Sequence, residues 1–468
     1  MPLFLKSKAA AVFLALHAAV LFLFLVLATA GLPLRAEEPR LVALHGLESA
    51  EVRSQGFTLP RSMKVHVYAR GAGLRRLGHN RGESPLFAYG WILNAATREV
   101  VWQMDMVNSR RERDFLIADQ YLDLPAGSYE AYFANHAFGQ GLFLAQWTRN
   151  LDRRDLSAKL SERPRGFLAA FGADEASLLR QWRKQVGSYG MELYLPGGDP
   201  GEVGRFEAPL RWAGVVISLA ATRDQGEWQQ AFHVQRPVAL HVYALGEGSK
   251  RRLSDFGWIL DARTRKRVWE MTPELALYAG GASRNRRQVE TLQLPAGDYV
   301  ATFVTDDSHS PADWTSAPPC DPGLYGLTLS LPKPGDVGAL TLRSLPEPGP
   351  VLAELVRVGD NQSRSAPFSL ASDRSVRVYA LGEAGDSDMA DTAWIEDASG
   401  KRVWEMVKAH THPAGGAAKN RFVDELVVLP KGSYTLHVKT DDSHAYGDWN
   451  SSPPRDPEHY GATVYGVR

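Results

Sequence analysis

The chain has 468 residues, 44% apolar and 23% charged, which are the proportions of packed domains and exclude a disordered polymer or a single ordinary core. Its 53 Lys and Arg balance 53 Asp and Glu, leaving no basic excess for nucleic acid or an anionic lipid surface. The lone cysteine, Cys320, excludes an intramolecular disulfide scaffold; it sits in Pro318-Pro319-Cys320-Asp321-Pro322, where a second copy has Arg455, so that loop does not require a thiol.

At the amino terminus, Lys6 and Lys8 precede an uncharged run from Ala9 to Leu34 rich in Leu, Val, Phe and Ala. The run predicts an apolar helix within residues 1–36 that directs export. Two fates fit it. Ala28-Thr29-Ala30, or the approach to Ala36, offers small residues for cleavage as a signal peptide, and the length also suits an uncleaved membrane anchor. The rest of the chain is then expected to be periplasmic or extracellular, touching the membrane only through this segment.

Self-comparison finds one pattern three times. Val65-His66-Val67-Tyr68, Gly90-Trp91-Ile92-Leu93, Val101-Trp102-Gln103-Met104 and Leu124-Pro125-Ala126-Gly127-Ser128-Tyr129 form the first copy. The second has Leu240-His241-Val242-Tyr243, Gly257-Trp258-Ile259-Leu260, Val268-Trp269-Glu270-Met271 and Leu294-Pro295-Ala296-Gly297-Asp298-Tyr299. The third has Val376-Arg377-Val378-Tyr379, Ala393-Trp394-Ile395-Glu396, Val403-Trp404-Glu405-Met406 and Leu429-Pro430-Lys431-Gly432-Ser433-Tyr434. Short blocks rich in β-branched and aromatic residues, bounded by Gly, Asp or Pro, read as strands of an antiparallel sandwich. The repeated Trp and Tyr residues are assigned to packing, with a sugar-stacking platform as the alternative.

A closing strand begins at Tyr189-Gly190, Tyr325-Gly326 and Tyr460-Gly461, and Pro- and Gly-rich linkers follow at residues 196–209 and 332–350. The expected architecture is therefore all-β: three tandem antiparallel β-sandwich, jelly-roll-like modules at 37–207, 208–344 and 345–468. The first copy carries an insertion at about 150–188, where Asp174-Glu175-Ala176-Ser177-Leu178-Leu179-Arg180 predicts a capped amphipathic helix.

If each connection reverses the chain, alternate strands end on one side of a module and bring three polar loops together. In the second copy these carry Glu247, Asn285, Arg286, and the run Asp306, Asp307, His309 and Asp313; in the third, Glu383, Asn420, Arg421, Asp441, Asp442, His444 and Asp448. The first copy has Ala72 where Glu247 and Glu383 stand, Gln103 where Glu270 and Glu405 stand, and His136, Ala137 and Gly139 across the Asp-Asp-Ser-His stretch, and so lacks the set. Three accounts stay open. Carboxylates and carbonyls suit calcium, and the histidines with one or two carboxylates suit zinc, making Asp306, Asp307, His309, Asp313, Asp441, Asp442, His444 and Asp448 the candidate metal ligands. Glu247, Asn285, Arg286, Glu383, Asn420 and Arg421 would then line a ligand site. Alternatively the Asp, Ser and His side chains cap and bend a long loop and bind nothing.

No catalytic residue stands out: there is no Gly-x-Ser-x-Gly elbow, no His-Glu-x-x-His and no phosphate-binding loop. The order Phe57-Thr58-Leu59, Phe232-His233-Val234 or Phe368-Ser369-Leu370, then Val-x-Val-Tyr, Trp-Ile and Leu-Pro-x-Gly-x-Tyr resembles the bacterial pre-peptidase C-terminal domain and related jelly-roll modules of exported proteins. The Asp-Asp-Ser-His loop departs from that family's pattern. The resemblance implies an accessory module outside the inner membrane. The expected function is a non-enzymatic envelope protein that binds protein or glycan, with a metal-dependent hydrolase using the Asp-Asp-Ser-His loops as the alternative.

Overall fold

The computed structural model describes residues 38–48, 51–73, 86–112, 115–135, 187–211, 214–312, 314 and 316–467. The expected amino-terminal helix lies outside them, as does the expected helical insertion apart from residues 187–188, which form a turn. Among the described residues, helical geometry is confined to short 3-10 segments, none longer than the six residues Pro334–Ala339. None of these is long and apolar enough to cross a membrane.

The second module defines the arrangement. One sheet runs, edge to edge, Val215–Ala220, Gly326–Ser330, Val238–Gly248, Asn285–Leu294 and Leu277–Tyr278. The other runs Leu340–Arg343, Glu227–Val234, Gly297–Val304, Leu253–Asp261 and Arg267–Glu270. Every pairing is antiparallel. Leu240, Val242 and Ala244 alternate inward from Val238–Gly248 and are fully buried, as period-two patterning requires. At one end the sheets are stitched together, where Glu247 pairs with Asp255 and Gly248 with Leu253.

The first module repeats this strand order, and the third repeats it in sheets of five and four strands. The repeated Leu-Pro-x-Gly-x-Tyr turn has a packing role in each. The hydroxyls of Tyr129, Tyr299 and Tyr434 donate to the carbonyls of Pro125, Pro295 and Pro430 at 2.9, 3.1 and 2.7 Å. Their rings stack on Phe57, Phe232 and Phe368. The repeated Phe and Tyr of this pattern are thus packing residues of each module.

The modules dock on one another through side chains from one recurrent turn. Asn94 and Asp261 each cap a hairpin by accepting two backbone N–H bonds, and the turn ends in Arg98 and Arg265 with left-handed backbone, φ 60° and 59°. Arg98, 2% exposed, bonds both oxygens of Glu130 at 2.6 and 2.9 Å and reaches Asp321 of the second module at 2.9 Å. Burial lowers the proton affinity of Arg98, but Asp321 and Glu130 more than offset that, so the guanidinium stays charged. Trp91 adds a 2.7 Å bond from its indole N–H to the Cys320 carbonyl, and Ala282, Ala317 and Cys320 join the first module's core. Arg265 reaches across the next seam to Asp424, which Arg377 also holds at 2.7 and 3.0 Å. At the matching turn of the third module the position is Gly400.

Candidate functional site

The polar loops of the second and third modules do meet at one end, but a different subset of side chains faces inward. Glu247, near the end of its strand, lies in register with Asn285 on one side and Asp255 on the other. Asp306 directly follows the strand Gly297–Val304 and the next residue, Thr305; its N–H donates to Asp255 Oδ1 at 2.7 Å. Tyr325 donates its hydroxyl to Asp255 Oδ2 at 2.6 Å. One carboxylate oxygen from each of Glu247, Asp255 and Asp306 lies within 4.8 Å of the others. Glu383, Asp391 and Asp441 repeat the triad under the same limit, with the Asp441 N–H on Asp391 at 2.8 Å and the Tyr460 hydroxyl on its second oxygen.

One cation serves each triad. Arg284 bonds Glu247 Oε1 at 2.9 Å and Lys419 bonds Glu383 Oε1 at 2.8 Å. The other oxygen of each glutamate, Oε2, is buried without a hydrogen-bond partner. Electrostatics follow from that shortage. Burial pushes Glu247 up to about 8, with Asp306 adding to the effect against Arg284, and pushes Asp391 up to about 7. Asp255 is held well above the usual carboxylate range and Asp306 and Glu383 above it, burial being the main cause in each.

Several expected site residues lie elsewhere. His309 and His444 were expected beside the aspartates; instead their left-handed backbone, φ 65° and 61°, turns the rings inward to Asn285 and Asn420. His309 Nε2 is 2.7 Å from Asn285 Oδ1, and His444 Nε2 is 2.6 Å from Asn420 Oδ1. Each ring also meets Trp314 or Trp449 edge-on at 5.1 Å. The two asparagines, expected as ligand contacts, are loop ties: Asn285 Nδ2 donates to the carbonyls of Gly280 and Ala317, and Asn420 Nδ2 to those of Gly415 and Ser452. Gly281 must be glycine there, since a Cβ would lie 1.9 Å from the Pro318 carbonyl oxygen. Arg286 and Arg421 were expected to line a ligand site; instead Arg286 donates to the carbonyls of Ser283 and Asn285, and Arg421 to the hydroxyl and carbonyl of Thr411. Asp307 is exposed and accepts a 2.8 Å bond from Ser452 of the third module. Asp442 and Asp448 are exposed and outside the triad, and Asp313 lies outside the described residues.

Asp255 escaped the sequence reading because it sits inside the strand Leu253–Asp261, where a polar residue reads as the solvent face, and Asp391 because it lies just before the strand Thr392–Asp397, outside the polar loops. Their signal was a shared offset: each lies three residues before a repeated tryptophan, Trp258 or Trp394, where the first copy has Ala88 before Trp91. The pairing of Ala72 with Ala88 places alanines at both positions in the first module.

A second feature lies on the seam between the second and third modules, a cleft of about 900 Å³ lined by Trp258, Arg267, Tyr379, His412, Phe422 and Asp424 among others. Arg267 covers the Trp258 ring at 4.4 Å; outside the cleft, Arg402 and His437 similarly cover Trp394. These indole faces are therefore occupied by cations and by an imidazole, not open for stacking. Burial and the neighbouring Arg267 and Arg421 hold His412 down to about 4, against the pull of Asp424. The unfolded chain protonates this histidine near 6.5 and the fold only near 4, so its contribution is complete above 6.5 and is lost as pH falls toward 4. At roughly 1.4 kcal/mol per tenfold change in proton affinity, the loss is bounded by about 3.5 kcal/mol. Urea unfolding at pH 7 and pH 4.5 is expected to show a larger difference for the native chain than for His412→Gln; equal differences would refute this.

A comparison with protein-family models finds no match, and neither does a comparison with curated proteins. Among solved structures, the CUB1-EGF-CUB2 domain of human MASP-1/3 is matched at 7% identity over 63% of this chain and 97% of that one, with a TM-score of 0.15. A superposition that loose carries no argument about function.

Proposed function

We propose that the chain is a non-catalytic, exported binding protein whose docked sandwich modules present the cleft between the second and third modules to a polypeptide of the cell envelope. The observation that carries this is the cleft itself, a concave surface bridged by the half-buried Arg265–Asp424–Arg377 cluster and edged by aromatic and charged side chains of both signs. A glycan is the weaker partner, because the indole faces that would stack on a sugar are covered by arginine or histidine. The metal-dependent hydrolase loses support where the histidines are bonded to asparagine, away from the carboxylates. The apolar amino-terminal run and the likeness to exported accessory modules support the location outside the inner membrane.

A photo-crosslinking residue placed at Gln229 or His410 in the cleft, and at the exposed Val107 of the first module as a control, tests this in the native host. Discrete protein adducts from the cleft positions alone are expected. No adduct, or the same adducts from all three, would overturn the cleft as the binding surface. Turnover of ester, phosphoester or peptide substrates by the purified chain, abolished by Asp306→Asn, would replace the reading with the hydrolase.

A further inference from the structure

We propose that Glu247, Asp255 and Asp306 in the second module, and Glu383, Asp391 and Asp441 in the third, each form a calcium site, for which the first module lacks the glutamate and the first aspartate. Clustered acids alone would not carry this. The independent observation is the orphaned oxygen: Glu247 and Glu383 are 6% and 7% exposed, and Oε2 of each is buried with no hydrogen-bond donor in reach. An unpartnered anionic oxygen in such a place costs free energy unless a cation lies against it. The same orphan occurs at the same position of both modules, beside the same two aspartates.

Charge points to a divalent ion. With all three carboxylates ionised, as they would be against a bound metal, each triad meets one direct cation, Arg284 or Lys419, and leaves two negative charges for an ion to balance. Beyond the first contacts, Asp224, Asp307 and Arg252 surround the second module's triad, and Asp360 faces the third's, so the wider shell adds no net positive charge. Chemistry points to calcium over zinc. The available donors are carboxylate oxygens, and the nearby histidine nitrogens are engaged by Asn285 and Ser316 or by Asn420 and Ser451. Calcium accepts oxygen-only shells in flexible geometry, whereas zinc favours nitrogen and sulfur. The amide and hydroxyl bonds to Asp255 and Asp391 use one lone pair per oxygen and fix the carboxylates without exhausting them.

The first module supplies the internal control, with Ala72 and Ala88 where the glutamate and the strand aspartate stand. The second module's site also adjoins its neighbour, since Asp307, next to the ligand Asp306, accepts the Ser452 hydroxyl.

Titration calorimetry of the purified full chain, stripped with chelator and titrated with calcium chloride, tests the proposal. Two calcium ions per chain are expected. Glu247→Gln and Glu383→Gln should each weaken one site at least tenfold, and the double variant should lose both. Glutamine preserves the shape and relieves repulsion, so a far-ultraviolet circular dichroism spectrum unchanged in the double variant separates lost binding from lost folding. Calcium should raise the melting temperature of the native chain and leave the double variant unmoved. No calcium uptake at millimolar concentration, binding that survives both substitutions, or zinc uptake removed by His309→Gln in place of Glu247→Gln would each overturn it.

Discussion

Replacing Arg98 with methionine is expected to destabilise the chain by about 3–5 kcal/mol and to loosen the first module from the second. The guanidinium lies between two carboxylates that have almost no water of their own, Glu130 at 0% and Asp321 at 3% exposure. Removing the cation leaves both acids facing each other in the seam. Methionine keeps most of the volume, so a cavity contributes little to the loss. The partners cannot easily turn away: Glu130 also accepts from Tyr132 and from the Leu210 N–H, and Asp321 accepts from Tyr243. Urea unfolding checks the magnitude. Adding Glu130→Gln and Asp321→Asn to the variant should restore part of the loss, because neutral amides do not repel; a variant within 1 kcal/mol of the native chain would mean that the seam is wetter than described.

Asn285→Ala, or its counterpart Asn420→Ala, is expected to cost about 3 kcal/mol. Each asparagine ties two loops together over its module's end, donating to two carbonyls and meeting the histidine ring. Alanine leaves those buried groups without partners. Asn285→Asp should be nearly as harmful, because a carboxylate presents acceptors to the Gly280 and Ala317 carbonyls. Thermal unfolding of the variants checks both; a loss below 0.5 kcal/mol, about the smallest net value of one hydrogen bond, would show that water replaces the amide.

The three-fold repeat and its antiparallel sandwich architecture were legible because period-two patterning, turn chemistry and the Leu-Pro-x-Gly-x-Tyr signal agree in every copy. The meeting of loops was legible too, since strand reversal places Glu247 and Asp306 at one end whatever their side chains do. The membership of the site was less so. Whether His309 turns toward the acids or toward Asn285 depends on one left-handed residue, and histidine gives no local warning of that conformation as glycine does. Asp255 was hidden by its strand context. The seams were not legible at all: Arg98 and Arg265 sit in polar turns that read as solvent-exposed, yet each reaches a carboxylate of the next module.

Small-angle X-ray scattering of the purified full chain tests the central claim, that the modules form one docked array with a persistent cleft. The account predicts a single arrangement of modules fitting the curve, unchanged between low and high salt because the ion pairs at the seams are largely shielded from solvent ions. A curve that requires modules moving independently about their linkers, or one that expands as salt rises, would contradict it.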